Sequence, residues 1–325
     1  MTFVLVRKLL RDIRWPLLAV LLLLFVFTML WVKIAQRVTS EIAPFFNGVA
    51  AMSKLNPKVF EEVLFKGPGR ISQAVMGGGE VRFENPTDFL AVELLHPVVI
   101  TLACLWAIGR AAGAVAGELD RGTLELLLSQ PVPRSRLILA HLIVDAIVIP
   151  AIVVSIAVGT QVGLAAVGPF KVDYTVLESL KTPFPIPTGP DVLPVETGGQ
   201  WGALVNLAAL MFAVSGLTVA ISSMNRSRWK ATGIATGIVL AMFIVNVIGQ
   251  LWDTLALLRP LSLFFYYQPQ KIWLKNQWLT DWSGAGASAS LVLPLPVLVL
   301  LSAVGILGYC WGLRTLIRRD LPSPL

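Results

Sequence analysis

WGALVNLAALMFAVSGLTVAISSM, residues 201 to 224, is a stretch of 24 residues without a charged side chain. A helix of about 20 apolar residues crosses the hydrocarbon core of a bilayer, since each residue adds about 1.5 Å of length. The stretch therefore predicts a membrane-spanning helix. The composition extends this prediction to the rest of the chain, because 56% of its 325 residues are hydrophobic and 14% are charged, whereas soluble domains carry about 25% charged residues.

Five further apolar stretches are long enough to cross a bilayer. The sequence predicts an all-α integral membrane protein that forms a single transmembrane domain over residues 1–325. Pro150 is expected to kink the third span, and Pro294 and Pro296 are expected in the first turns of the sixth. The predicted spans are about 15–36, 94–117, 137–167, 201–224, 231–252 and 291–313, with outer loops about 38–93, 168–200 and 253–290.

The basic residues are distributed unequally between the two sides of these spans. One side has 14 Lys and Arg residues and five acidic residues in short segments, whereas the other has 12 basic and 13 acidic residues in long loops. Short loops rich in Lys and Arg stay in the cytoplasm, so both termini are expected there. The net charge of +7 does not indicate nucleic-acid binding, because the basic residues lie in small groups beside apolar runs.

The segment from Thr2 to Arg14 has helical periodicity. Phe3, Val6 and Leu10 fall on one face with basic residues between them, which is typical of an amphipathic helix in the membrane interface. The alternative is that this segment simply extends the first span.

The sequence contains no pattern for catalysis or for metal binding. Its two cysteines and two histidines form no CxxC or HExxH motif. It has no Ser/His/Asp set and no GxxxxGKS/T phosphate-binding loop. We therefore expect no enzymatic activity, no cofactor and no ATP bound by this chain itself.

The connection between the second and third spans predicts a short amphipathic helix. Thr123 follows Gly122 and can act as an N-cap, and Glu125 in the first turn complements the helix dipole. Pro131 and Pro133 end the helix. Its apolar face needs either the bilayer interface or a groove in a protein, and consists of Leu124, Leu127 and Leu128.

This segment closely resembles the signature of ABC-2-type transporter permeases. In that family an acidic and a basic residue precede Gly-Thr-Leu-Glu, a leucine-rich turn and a Pro-Val-x-Arg ending. The six spans and the N-terminal interfacial helix extend the resemblance over most of the chain. The matching residues are Glu118, Arg121, Gly122, Thr123, Leu124, Glu125, Leu127, Leu128, Pro131, Val132 and Arg134.

The resemblance implies how the protein works. The short helix would be a coupling helix that docks on a separate ATP-binding subunit, which holds ATP and Mg²⁺. The permeases of this family work as homodimers or heterodimers in the cell membrane of bacteria and archaea, with spans one and five at the interface. Gly233 and Gly237 on span five are then candidates for that interface, although packing within one subunit is equally compatible. The long outer loops suit an extracytoplasmic partner protein.

Three polar residues are expected inside the membrane. Asp145 and His141 lie one helical turn apart on the third span, and Arg110 lies near the inner end of the second. A structural ion pair between Arg110 and Asp145 is the favoured interpretation, and a gating or proton-linked role is the alternative.

These observations predict the permease subunit of an ATP-driven exporter. A subunit that transmits force without moving a substrate is one alternative, and an ion-coupled secondary transporter is another. The sequence leaves the substrate open among lipids, drugs, peptides, polysaccharides and ions.

Overall fold

The computed structural model describes residues 2–44, 85–122, 133–172, 192–282 and 293–318. Nine α-helices, two antiparallel pairs of short strands and several 3-10 and π-helical turns make up the regular structure in these ranges. The helices are α1 (Thr2–Arg37), α2 (Pro86–Val92), α3 (Pro97–Ala111), α4 (Glu118–Asp120), α5 (Ser135–Val167), α6 (Gln200–Met224), α7 (Arg228–Leu251), α8 (Pro269–Lys275) and α9 (Val297–Arg318). The strands are β1 (Phe170–Lys171), β2 (Val192–Leu193), β3 (Leu279–Trp282) and β4 (Leu293–Pro296).

Six helical segments are long and apolar enough to cross a membrane, as predicted. The all-α integral membrane class is therefore confirmed. Helix α6 is the central helix, because 72% of the residues in its apolar stretch are buried. The corresponding fraction is 17% for the first span and 22% for α7. The first and fifth spans thus leave most of their surface for lipid or for another subunit.

The N-terminal segment is not a separate element. Helix α1 continues without a break from Thr2 to Arg37, with Pro16 inside it, so the extension of the first span is the arrangement observed. At 36 residues the helix is about 54 Å long, well beyond the thickness of the hydrocarbon core.

The second span is assembled from several helical pieces. Asn85 caps α2 by accepting the N–H of Thr87 at 3.0 Å, and His96 caps α3 by accepting the N–H of Val98 at 3.2 Å. A proline follows each cap, where the missing N–H costs nothing. The span therefore begins with two successive N-caps, and the first of them, Asn85, lies in the predicted outer loop.

A π-helical turn, Gly113–Gly117, follows α3. Such a turn disturbs the regular backbone hydrogen bonds and is often found at functional sites. Ser222 of α6 satisfies the affected groups: its hydroxyl oxygen accepts the N–H of Val115 and of Ala116 at 3.2 and 3.0 Å and donates to the carbonyl of Ala112 at 2.8 Å.

The start of the sixth span differs from the prediction. Pro294 and Pro296 lie in strand β4, which pairs antiparallel with β3, and the helix begins at Val297. Residues two apart in a strand direct their N–H groups to the same side. Both prolines therefore fit a two-stranded ribbon in which that side faces no further strand.

Close helix pairs rely on glycine. Gly308 of α9 lies against the backbone of Gly216 on α6, with no room for a Cβ atom. Gly159 and Gly163 of α5 lie in the same way against α1. Small residues allow such close approach, and dispersion then holds the helices together within the membrane.

Candidate functional site

The predicted coupling segment is described only at its two ends. Glu118, Arg121 and Gly122 lie at the end of the second span, and Arg134 lies just before α5. The remaining residues of the prediction, Thr123, Leu124, Glu125, Leu127 and Leu128, lie outside the described residues.

The first end is held by an ion pair. Glu118 is buried and accepts a hydrogen bond from Arg121 at 2.6 Å, while 59% of the Arg121 side chain is exposed. Glu118 thus braces Arg121 at the surface rather than facing outward itself. Gly122 then has a positive φ of 66°, which glycine adopts without a steric penalty, so the chain can turn away from the helix at this residue.

The second end is attached to the sixth span. The guanidinium of Arg134 donates to the carbonyls of Leu316 and Ile317 at 3.1 and 3.2 Å. These carbonyls belong to the last turn of α9, where a cation also complements the negative end of the helix dipole. The coupling segment is therefore connected directly to spans two, three and six.

Gly109, Gly113 and Gly117 follow one another at four-residue spacing on the second span, and Arg228 packs along them. Its side chain lies within 3.9 Å of an ideal Cβ at Gly113 and within 3.6 Å of one at Gly117, and its guanidinium donates to the carbonyl of Gly109 at 3.0 Å. The three glycines thus accommodate an arginine of α7 rather than a second helix backbone.

Arg110 is the centre of a buried polar cluster. Its guanidinium donates to the Asp145 carboxylate, to Ser215 Oγ at 3.0 Å and to the Tyr309 hydroxyl at 3.0 Å. Its other terminal nitrogen lies 3.0 Å from His141 Nδ1. The expected ion pair between Arg110 and Asp145 is present.

Ser215 and Tyr309 were not predicted as members of this cluster. Both hydroxyls donate to the same Asp145 carboxylate oxygen, so that oxygen accepts three hydrogen bonds. The side chains of Arg110 and Asp145 are only 5% and 3% exposed. A charge pair at this depth is tolerated because hydrogen bonds satisfy it. The cluster joins the second, third, fourth and sixth spans through side-chain contacts.

Gly233 and Gly237 lie on an open face of α7. No heavy atom of the described structure lies within 4 Å of a Cβ built at either residue. Packing of these glycines within one subunit is therefore not observed in the described part of the chain. The face remains available to lipid or to a second subunit.

One end of the molecule is organised around α8. The Trp273 indole donates to the Glu196 carbonyl at 3.1 Å, and the Tyr267 hydroxyl donates to the Leu94 carbonyl at 2.6 Å. Burial raises the pKa of Tyr267 well above its ordinary value of 10, which keeps this hydroxyl protonated as a donor. A cleft of about 380 Å³ opens beside α8 and is lined by Asp88 and Glu196.

Among the described residues, no three His, Cys, Asp or Glu side chains are grouped so that they could hold a metal ion.

The family model for the ABC-2 family transporter protein matches residues 6–306. The chain belongs to this family. No curated protein matches the sequence. The chain is therefore a multi-pass membrane protein and a permease subunit of an ABC transporter, the membrane component rather than the ATPase.

Proposed function

We propose that this permease subunit is part of an ATP-driven exporter and that residues 118–136 dock on a separate ATP-binding subunit. ATP and Mg²⁺ bind to that partner, and hydrolysis there drives the conformational change. Both termini and the coupling segment lie in the cytoplasm of a bacterial or archaeal cell, and the subunit sits in the cell (inner) membrane.

The attachment of the coupling segment carries this proposal. At one end Glu118 fixes Arg121, and at the other Arg134 binds the last turn of α9. A force applied to residues 123–130 would therefore act on spans two, three and six together. The leucine face of the sequence in this segment suits a groove on the partner.

The polar cluster would transmit this force from the second span to other spans of the membrane domain. Arg110 lies on α3, immediately before the π-helical turn that leads to the coupling segment. Its contacts with α5, α6 and α9 connect the moving segment to three further spans. We infer that these spans move as one unit when the partner subunit closes on ATP.

Two copies of the permease are proposed to pair through α1 and α7. These helices bury the least surface within one subunit, and the Gly233 and Gly237 face is open. Small residues allow two helix backbones to approach closely. The same open faces fit either a homodimer or a heterodimer.

Force transmission without a transported substrate is the second candidate. The hydrogen-bonded outer end around α8 and its cleft favour it, because they present a defined surface to an extracytoplasmic protein. Transport by reconstituted protein in the absence of such a partner would argue for the exporter.

Co-purification with a candidate ABC ATP-binding subunit tests the docking. The double variant Glu125→Arg, Leu127→Asp reverses the charge and destroys the apolar face of the coupling segment, so we expect the ATP-binding subunit to be lost. Val4→Asp is the control, because it places the charge of Leu127→Asp on an exposed apolar residue of α1 at the same end of the molecule. Equal recovery of the ATP-binding subunit with the wild type, the double variant and the control would refute docking through this segment.

A further inference from the structure

A cavity of about 420 Å³ lies between four helices at the basic end of the spans. It is surrounded by residues 9–16 of α1, by the end of α3, by α5 and by the start of α7. One wall is apolar and includes Leu9, Ile13 and Leu105. The charged lining residues are Arg110, Arg121, Arg228, Asp12 and Glu118. The cavity thus presents hydrocarbon to an occupant beside a charged wall in which arginines outnumber carboxylates.

Three buried nitrogen atoms of the cavity-lining residues have no hydrogen-bond partner among the described residues. They are Trp106 Nε1, Arg110 Nε and His141 Nε2. His141 is 4% exposed and the Arg110 side chain 5% exposed. Leaving a buried N–H unsatisfied is costly, and native proteins rarely do so without a ligand, an ion or water at the site.

All three atoms are donors. Indole and guanidinium nitrogens can only donate. His141 Nδ1 faces a guanidinium nitrogen of Arg110 at 3.0 Å, which has no lone pair to offer, so Nδ1 accepts and a neutral ring carries its proton on Nε2. The donors buried beside this cavity therefore lack acceptor oxygen atoms.

Charge supports the same conclusion. Arg110 is paired with Asp145 and Arg121 with Glu118, whereas Arg228 has no carboxylate partner within 4 Å in the described part of the chain. Asp12 is the lining carboxylate outside these pairs, so an anionic group is expected on the Arg228 side of the cavity. The α1 segment beside the cavity also carries Arg7, Lys8, Arg11 and Arg14, which attract anionic lipid to the membrane surface.

We propose that this cavity binds an anionic amphiphile, with a phosphate or carboxylate group at Trp106, His141 and Arg228 and its hydrocarbon chain along the apolar wall. The site belongs to one subunit, so it depends neither on docking of an ATP-binding subunit nor on dimerisation. Hydrogen bonds to its oxygens would satisfy Trp106 Nε1 and His141 Nε2, and Arg228 would supply the opposite charge.

Native mass spectrometry of the purified full-length chain tests this site. The protein is titrated with dioleoyl phosphatidylglycerol, with dioleoyl phosphatidylcholine and with inorganic phosphate. We expect phosphatidylglycerol to bind most tightly, and free phosphate at millimolar concentration not to displace it. Phosphatidylcholine carries the same acyl chains and a phosphate without net negative charge, which isolates the contribution of the headgroup charge.

Trp106→Phe removes one donor and keeps an aromatic ring. Arg228→Gln removes the charge that has no carboxylate partner and keeps an amide group that can still donate to the Gly109 carbonyl. Each variant should weaken phosphatidylglycerol binding about tenfold, the value of one charge-assisted hydrogen bond. Trp229→Phe and Lys230→Gln are matched controls, because they make the same kinds of change on neighbouring residues outside the cavity lining.

Three outcomes would overturn the proposal. Equal affinity for the two lipids would mean that only the apolar wall matters. Equal binding by the two site variants and the two controls would place the anionic lipid on the basic surface rather than in the cavity. Displacement of the lipid by inorganic phosphate would identify a site for a free anion instead of an amphiphile.

Discussion

At the scale of single residues, Arg110 determines how four spans meet. Its rigid guanidinium offers five N–H donors in fixed directions, and four of its neighbours are side chains from three other spans. Within the membrane such an ion is stable only with its partners in place. The cluster should therefore respond strongly to the loss of either charge.

Asp145→Ala is expected to lower the free energy of unfolding by about 3–5 kcal/mol, because it leaves Arg110 buried without its counter-ion. Tyr309→Phe should cost about 1 kcal/mol, since it removes one hydrogen bond and no charge. Denaturant unfolding in detergent micelles measures both. The double variant Arg110→Met, Asp145→Leu should be more stable than Asp145→Ala, and an additive loss would contradict this account of the pair.

The sequence could predict only part of this cluster. Asp145 and His141 are one turn apart, and Arg110 is near enough in the predicted topology to reach Asp145. Ser215 and Tyr309 are 70 and 164 residues from Asp145 along the chain. Their participation follows from the rotation of α6 and α9 about their axes. That rotation is set by close packing of Gly216 against Gly308, which hydropathy does not encode.

At the scale of elements, the π-helical turn links the cluster to the coupling segment. It is stabilised from outside the second span, because the Ser222 hydroxyl binds two N–H groups of the turn and the carbonyl of Ala112 just before it. A side chain of α6 thus maintains the local geometry of the turn through which the second span reaches the proposed coupling segment.

Ser222→Ala is expected to destabilise the protein by about 1–3 kcal/mol, because it leaves buried backbone groups unsatisfied. It should also reduce stimulation of the partner ATPase, since the turn lies between Arg110 and Glu118. Ser227→Ala is a control, because Ser227 precedes α7 without making a side-chain capping bond. Wild-type stability of Ser222→Ala would show that the turn does not need this hydroxyl.

Hydropathy predicted the elements well where the chain is uniformly apolar and less well at their ends. The fourth span was predicted as 201–224 and observed as Gln200–Met224. The sixth begins six residues later than expected, because Leu279 to Trp282 pairs with the proline-containing segment. That pairing depends on a partner strand outside the segment itself. The positions of Pro294 and Pro296 alone were equally compatible with a first helical turn.

At the scale of the whole molecule, one face of α7 remains uncovered. The proposed dimer would bury it through Gly233 and Gly237. Gly237→Phe should therefore reduce the dimer fraction measured by light scattering in detergent, because the ring prevents close approach of two helices. Leu307→Phe, on an exposed face of α9, should leave the dimer unchanged. An undiminished dimer in Gly237→Phe would place the interface elsewhere.

The central claim is that ATP hydrolysis by a partner acts on this chain through residues 118–136. The most direct measurement is the ATPase rate of the candidate partner subunit in proteoliposomes, with and without the permease. We predict that the wild-type permease and Val4→Asp increase the rate, that Glu125→Arg with Leu127→Asp does not, and that the permease alone hydrolyses no ATP. Equal stimulation by the double variant, or hydrolysis by the purified permease alone, would contradict the account.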